Sequence, residues 1–312
     1  MPHLVEFLPP VAVCVLYVAL YARRTSTLRR EHRPVPVWRA ASFALGVVVV
    51  ASVQLPPLDG LADTLLVAHM AQHIVLGDIA SLLIVLGLTG PVLAPVLRVP
   101  GTRSLRTLVN PITALFVWVV DLYAWHLPAL YQLAIRHDLV HALEHACFLW
   151  AGILMWLALL GPLPKPSWFG AWGGIGYVAV VRFAGAVLAN VLIWAQTDFY
   201  PIYRASDSAR SLNPLSDQKM AGGVMMFEQV VLTTILLGWL FLRLARRDEE
   251  RQGLLDLAAT RGTVLSEARA ARAAAAGAAP ILRQRLARSV DPASRRGAII
   301  DDEGITARPE PR

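Results

Sequence analysis

The chain has 312 residues, of which 56% are hydrophobic and 16% are charged, and its mean hydropathy is +0.52. A soluble domain carries about 25% charged residues, so this composition excludes an ordinary cytosolic globular protein. The formal net charge of +7 comes from 27 Arg and 2 Lys against 22 acidic residues. Most of that charge lies between apolar runs or in the C-terminal tail, which indicates membrane orientation and no nucleic-acid partner.

Seven apolar runs follow one another over residues 1–245, and runs of about 20 residues can cross a hydrocarbon core of roughly 30 Å as helices. They predict an all-α fold, a polytopic membrane helix bundle with about seven transmembrane helices and a polar C-terminal tail. The second run is the shortest. In chain order the predicted spans are Leu4–Tyr21, Trp38–Val53, Leu61–Leu88, Pro111–Leu127, Leu139–Leu160, Gly173–Ala195 and Ala221–Leu244.

The basic residues near the spans predict the orientation of the bundle. One set of loops holds nine Lys and Arg residues and the opposite set holds four. Since cytoplasmic loops carry the excess of Lys and Arg, the N-terminus is predicted to be extracytoplasmic. The C-terminal tail is then predicted to be cytoplasmic.

The tail, residues 246–312, changes to a polar composition rich in Ala and Arg. It is expected to be largely disordered, because it combines high charge with Gly and Pro near its end. An amphipathic helical stretch around Leu254 to Leu286 is the alternative for part of it.

Six of the eight histidines fall in or beside the third, fourth and fifth predicted spans. Residues four apart lie on one helix face, so the third span carries a pair and the fifth begins with a stripe of three. In the predicted orientation all six lie in the outer half of the bundle. They are His69, His73, His126, His137, His141 and His145.

The outer loop before the last span adds carboxylate and thioether donors, Asp217 and Met220 among them. Imidazole suits copper and zinc, thioether suits Cu(I), and carboxylate accepts either ion when mixed with His. We therefore predict a metal site formed by the six histidines, Asp217 and Met220. Cys14 and Cys147 lie inside apolar runs and form no C-x-x-C pair, so a thiolate site is not indicated.

A second group of polar residues lies deeper in the predicted spans. An unpaired charge at mid-bilayer costs at least about 2.5 to 3.5 kcal/mol, so Arg182 is expected to form an ion pair with Asp121 or, alternatively, with Asp78. A structural role and a role in a proton or ion relay are equally compatible with these residues. Glu144 precedes His145 and is expected on a neighbouring helix face, about 100° away.

Three segments of the sequence resemble a known family. They are HMAQH (69–73), WHLPALYQLAIRHDLVHALEHACF (125–148) and DQKMAGG (217–223). In this order they resemble the seven-span CtaG-type cytochrome c oxidase assembly factors of Gram-positive bacteria. The central segment is the most specific, because it combines Trp-His, Leu-Tyr and a His stripe at fixed spacing.

The resemblance implies a multi-pass plasma-membrane protein that is needed to mature a haem-copper oxidase, with the subunits of that oxidase as partners. It implies copper delivery to the extracytoplasmic or membrane copper centres, and so a chaperone, not an enzyme. By position the six histidines match the family's His pattern, and Asp217 with Gln218 matches its outer-loop motif. The sequence departs from the family at Ile74, where Met is common.

Two other functions remain open at this point. An intramembrane zinc hydrolase would hold zinc with three His and activate its water with an acid, and it would need a lipid-sized cavity. A b-type haem protein would use two His from different spans, for example His73 with His141, as axial ligands. Copper is the expected metal, and zinc and haem are the alternatives.

Overall fold

The computed structural model describes residues 3–99, 107–166 and 168–288, with side chains from residue 12 onward. The chain divides into two compact units, Met1–Leu237 and Gly238–Arg312. Among the described residues there are helices and turns but no strand, which confirms the all-α prediction.

The helices are numbered here in chain order. The first unit also contains a π-helical segment, Val75–Ala80, between α4 and α5. The helices are α1 (His3–Arg30), α2 (Val37–Val53), α3 (Leu58–Ala62), α4 (Leu66–Ile74), α5 (Ser81–Gly87), α6 (Gly90–Leu93), α7 (Pro111–Trp125), α8 (Pro128–Arg136), α9 (Asp138–Leu160), α10 (Ala171–Trp194), α11 (Arg204–Ala209), α12 (Pro214–Thr260), α13 (Glu267–Ala275) and α14 (Ala279–Arg288).

Several of these helices can cross a membrane by length and composition. Within the described ranges four do so: Leu66–Gly87, which runs through α4, the π-helical segment and α5, together with α9, α10 and α12. The count becomes five if α7 and α8, which meet at a bend of 73°, form one broken span. This is the helix content of a multi-pass membrane protein. The predicted number of seven is not confirmed, since α2 has 17 residues and is shorter than these.

The third predicted span begins later than the sequence indicated. Leu58–Ala62 forms the separate short helix α3, and the long helix starts only at Leu66. At 1.5 Å per residue, His69 and His73 therefore lie about 4.5 and 10.5 Å from its start, instead of the roughly 12 and 18 Å that a start at Leu61 implied. Both histidines are thus in the first two turns of the span.

The π-helical segment Val75–Ala80 is held by side chains that bind its carbonyl groups. A π turn disrupts the i to i−4 hydrogen-bond ladder, and such turns are frequent at functional sites. Trp156 Nε1 donates to the Asp78 carbonyl at 3.0 Å, and Ser81 Oγ donates to the Gly77 carbonyl. The Trp156 bond connects the segment to α9, the Ser81 bond comes from the start of α5, and both stabilise its irregular backbone.

Gly152 on α9 lies directly against this segment. A Cβ atom at Gly152 would lie 1.9 Å from the Gly77 carbonyl oxygen and 2.7 Å from Ser81 Oγ. Because the obstacle is backbone, it cannot turn aside. The two helices can approach this closely only because position 152 has no side chain.

We predict that Gly152→Ala lowers the free energy of unfolding by about 1–3 kcal/mol, the cost of overpacking a tight interface. Denaturant unfolding of the purified protein in detergent measures this. Gly176→Ala on α10 is the matched control, because among the described residues no atom lies within 4 Å of its new Cβ. The control is expected to be neutral or to stabilise by up to about 1 kcal/mol, and equal effects would contradict the packing argument.

The fourth predicted span ends in a sharp bend caused by Pro128. The residue before a proline avoids the α region, and Leu127 is extended with φ −64° and ψ 128°. The helix therefore stops at Trp125, with His126 as its C-cap. The His126 carbonyl accepts a hydrogen bond from Tyr200 Oη at 2.8 Å.

Arg182 on α10 joins two other spans through a buried ion-pair network. Its Nη2 lies 3.0 Å from Asp78 Oδ1 and its Nη1 lies 2.8 Å from Glu228 Oε1 on α12. The alternative partner Asp78 is confirmed. The pairing with Asp121 was wrong, because that carboxylate instead accepts a hydrogen bond from Trp125 Nε1 at 3.1 Å.

We predict that Arg182→Met lowers the free energy of unfolding by about 3–5 kcal/mol, because it leaves two buried carboxylates without their shared cation. Arg204→Ala is the matched control, since Arg204 pairs with Asp198 at 2.7 Å but is 60% exposed. An exposed pair contributes at most about 1 kcal/mol. Similar losses in the two variants would show that the buried network does not stabilise the bundle.

The second unit contains the C-terminal part of α12 followed by α13 and α14. Where disorder was expected, helices cover residues 246–260, 267–275 and 279–288, in the region of the helical alternative for Leu254 to Leu286. They bury a small core of Leu and Ala side chains, and burial of this apolar surface stabilises the helices. Residues 289–312 of the predicted tail lie outside the described residues. The core consists of Leu254, Ala258, Ala270, Ala279 and Leu286.

Candidate metal centre

Two helices bring four of the six predicted histidines together. On α4, His69 and His73 occupy successive turns with ring centroids 4.2 Å apart. On α9, His141 and His145 have the same spacing and the same centroid distance of 4.2 Å. This is the geometry that the i, i+4 spacing predicted for each helix.

The two pairs face each other across the interface between α4 and α9. The ring centroids of His69 and His141 are 5.2 Å apart, and those of His73 and His145 are 5.4 Å apart. Ligand atoms of His69, His141 and His145 all lie within 4.8 Å of one another. One metal ion could therefore be bound by imidazoles from both helices.

Glu144 belongs to this cluster, although the sequence analysis placed it on a neighbouring helix face. It is fully buried, and its Oε2 lies 3.7 Å from His69 Nε2 and 3.8 Å from His73 Nε2. These three residues form a second group whose ligand atoms lie within 4.8 Å of one another. Glu144 lies three residues after His141, and residues three or four apart share one helix face. This spacing could have predicted that Glu144 joins the histidines.

The cluster is buried, and many of its polar atoms lack a hydrogen-bond partner within the described part of the chain. A buried polar atom without a partner costs about 1–3 kcal/mol, so eight such atoms at one place require an explanation. A bound cation accounts for one nitrogen of each imidazole and for the carboxylate oxygens, because these atoms carry the lone pairs that can be ligands. The eight unpaired atoms are Nδ1 and Nε2 of His69 and of His73, Nε2 of His141 and of His145, and Oε1 and Oε2 of Glu144.

The chemistry of the donors also fits a transition metal. Imidazole nitrogens with one carboxylate suit copper or zinc, whereas magnesium and calcium prefer sites made of oxygens. His69 belongs to both groups of three. The centre thus offers two overlapping sets of ligands.

The other predicted ligands lie outside these two groups. His126 contacts Met70, with Nε2 3.2 Å from Sδ, and its ring centroid is 6.4 Å from that of His73. His137 is exposed at the N-cap of α9, and Met220 is 44% exposed. The structure does not bring His137 or Met220 into the cluster.

Asp217 has a different set of contacts from the one predicted. Its carboxylate accepts hydrogen bonds from the backbone N–H groups of Leu66 at 2.6 Å and Val67 at 3.1 Å. The first N–H groups of a helix have no partner within the helix, so Asp217 caps α4 from another part of the chain. It thereby fixes the start of the helix that carries His69 and His73.

The neighbouring Gln218 is fully buried and orders the outer loop. Its Oε1 accepts from the Phe199 N–H at 2.9 Å, and its Nε2 donates to the Thr197 carbonyl at 3.2 Å. The pair Asp217 and Gln218 therefore connects the start of α12 to two other segments. These contacts explain the motif by structure, without a bound ion.

We predict that Asp217→Ala lowers the free energy of unfolding by about 0.5–2 kcal/mol, the usual cost of a lost N-cap. The variant is expected to keep the metal content of the wild type, measured by elemental analysis of the folded protein. Met220→Leu, at the other predicted outer ligand, is expected to change neither quantity. Loss of metal from folded Asp217→Ala would instead make Asp217 a ligand.

The fold and the site together define a class: an all-helical membrane protein with a buried His and Glu centre between two spans. The family model described as cytochrome c oxidase caa3 assembly factor (Caa3_CtaG) matches residues 19–247. The chain belongs to this family.

Two mycobacterial relatives also match the chain. An uncharacterised protein of Mycobacterium bovis and one of Mycobacterium tuberculosis are each 26% identical to it over 223 residues, which is 65% of this chain. The chain spans about a third of the length of these relatives, since the match covers 33% of each. No solved structure matches the chain.

Proposed function

We propose that this protein binds copper at the cluster of His69, His73, His141, Glu144 and His145 and supplies it during assembly of a haem-copper cytochrome c oxidase. Family membership supports the role in oxidase assembly. The observation that carries the copper proposal is the set of unpaired imidazole and carboxylate atoms buried between α4 and α9. In this proposal copper is cargo, and the partners are oxidase subunits in the lipid bilayer.

The overlap of the two ligand groups supports transfer of the ion. His69 can stay bound while the other ligands change from His73 and Glu144 to His141 and His145. Ligand exchange of this kind lets an ion leave stepwise, whereas a rigid four-ligand cage would retain it. His69 and His73 also lie in the first two turns of α4, near the end of that span for which the basic loop residues predict an extracytoplasmic position.

A zinc hydrolase is the second candidate, because Glu144 beside His69 and His73 provides the two His and one Glu found in some zinc peptidases. The cavity that adjoins His73 holds about 40 Å³. Sites for organic ligands hold about 300–1,000 Å³, so a lipid-sized substrate does not fit there. A b-type haem does not fit this cavity either. Copper handling without catalysis is therefore the proposal we prefer.

We predict that Glu144→Gln weakens copper binding by at least about 10–100-fold, the loss seen when even a residue behind a ligand is changed. The change removes the anionic oxygen and keeps the shape of the side chain. Competition between the purified protein and a copper chelator measures the affinity. The matched control is Asp121→Asn, an acid of α7 that bonds Trp125 Nε1, and it is expected to bind copper as the wild type does.

The cellular readout is the copper content and activity of the oxidase in a deletion strain that carries each variant. Glu144→Gln, His73→Ala and His141→Ala are expected to lower both while the protein remains in the membrane. Unchanged oxidase copper and activity would refute the proposal. Tightly held zinc with hydrolytic activity that Glu144→Gln abolishes would support the hydrolase instead.

A further inference from the structure

A small cavity lies beside the His and Glu cluster and is lined by residues of different chemistry. It holds about 40 Å³, which is room for a water molecule or a single ion. Its lining includes Met70, His73, His126 and Met225, together with Asp78 and Glu228. The thioethers of Met70 and Met225 are buried, with 1% and 5% of these residues exposed.

The hydrogen bonds of His126 fix the position of its proton. Its Nδ1 lies 2.7 Å from the Leu122 carbonyl oxygen. A carbonyl oxygen only accepts, so Nδ1 carries the N–H. A neutral imidazole has one N–H, and Nε2 of this ring is therefore a lone pair.

That lone pair points at a second lone-pair donor. His126 Nε2 lies 3.2 Å from Met70 Sδ, and a thioether sulfur has no proton to give. Two buried atoms that can only accept thus face each other beside a cavity. A cation that binds imidazole and thioether together satisfies both, and Cu(I) is the ion that this soft donor pair selects.

The two carboxyl groups that line the same cavity belong to the Arg182 ion-pair network. Asp78 and Glu228 share the single guanidinium of Arg182.

We propose that Met70, His126 and Met225 form a second metal site, selective for a soft monovalent cation, next to the centre that contains Glu144. His73 lines this cavity and also belongs to the first centre, so an ion can pass from one site to the other. This proposal rests on the proposed copper-handling function and extends it with a thioether site. The first site offers nitrogen and oxygen ligands, and the second offers nitrogen and sulfur.

The test measures binding of Ag(I), a redox-inert stand-in for Cu(I), and of Zn(II) to the full-length protein in detergent. Met70→Leu and Met225→Leu remove one sulfur each and nearly preserve volume. Each is expected to weaken binding of one Ag(I) equivalent by at least about 10–100-fold, as for lost metal-site residues, with Zn(II) binding unchanged. Met155→Leu, at a buried Met that does not line this cavity, is the matched control and is expected to bind both ions normally.

Glu144→Gln separates the two proposals. It is expected to lose Zn(II) binding at the first centre and to keep the Ag(I) equivalent that depends on Met70. If Met70→Leu and Met225→Leu bind Ag(I) as Met155→Leu does, the second site is refuted, whatever Glu144→Gln shows. If Glu144→Gln keeps its Zn(II) while Met70→Leu and Met225→Leu lose the Ag(I) equivalent, the proposed first centre is refuted and the thioether site stands.

X-ray absorption of the Cu(I)-loaded protein tests the site without changing any Met. The protein used carries Cys14→Ser and Cys147→Ser, so that any sulfur bound to copper comes from Met. A sulfur neighbour in the copper spectrum is the expected result. A first shell made only of nitrogen and oxygen overturns the proposal.

Discussion

The close approach of α4 and its π-helical continuation to α9 sets the geometry of the whole site. Gly152 allows it, because no Cβ stands between α9 and the Gly77 carbonyl. The same approach places His69 and His73 opposite His141 and His145, with centroids 5.2 and 5.4 Å apart across the interface. A wider separation of these helices would leave two histidine pairs that no single ion could join.

The first unit contains two buried polar clusters, the Arg182 network and the His and Glu cluster. The difference in how their atoms are paired supports binding of an ion by the second. Arg182 compensates its burial with two carboxylates, and Gln229 bonds both Arg182 and Glu228. The His and Glu cluster between α4 and α9 has eight unpaired atoms instead. Among the described atoms of the Arg182 network, Nε of Arg182 alone lacks a partner. Since the membrane interior penalises unpaired polar groups, the His and Glu cluster is expected to pair its atoms by binding an ion.

The sequence predicted the histidine pairs because helical spacing alone determines them. Glu144 was not predicted as a ligand, because its face differs from that of the adjacent His145. Its position three residues after His141 puts it on the face of the His stripe. The sequence also placed the start of the third span too early, since the N-terminal cap of α4 is Asp217, about 150 positions away in the chain. No local sequence pattern indicates a cap from so distant a residue. Asp217 was therefore predicted as a metal ligand, although its contacts are those of a structural cap.

Other differences have the same origin in contacts that spacing does not encode. The π turn at Val75–Ala80 depends on Trp156 and Ser81, and Arg182 prefers Asp78 to Asp121 because that turn presents Asp78 to it. The helices within residues 246–288 pack Leu and Ala side chains against one another. The overall composition of the tail does not show that these residues share helix faces. The break at Pro128, by contrast, follows from local stereochemistry and could be predicted from the residue itself.

A donor of metal ions must bind its cargo firmly enough to acquire it and loosely enough to release it. In the proposed arrangement no ligand set is closed, because His69 is shared by two groups and His73 lines the adjoining thioether cavity. The nitrogen and sulfur ligands of the second site are selective for copper that is already Cu(I). The break at His126 makes this possible, since the end of α7 leaves that ring free to turn one nitrogen to the Leu122 carbonyl and the other to Met70. A straight helix through Pro128 would have no such terminus, and the imidazole ligand beside Met70 would be lost with it.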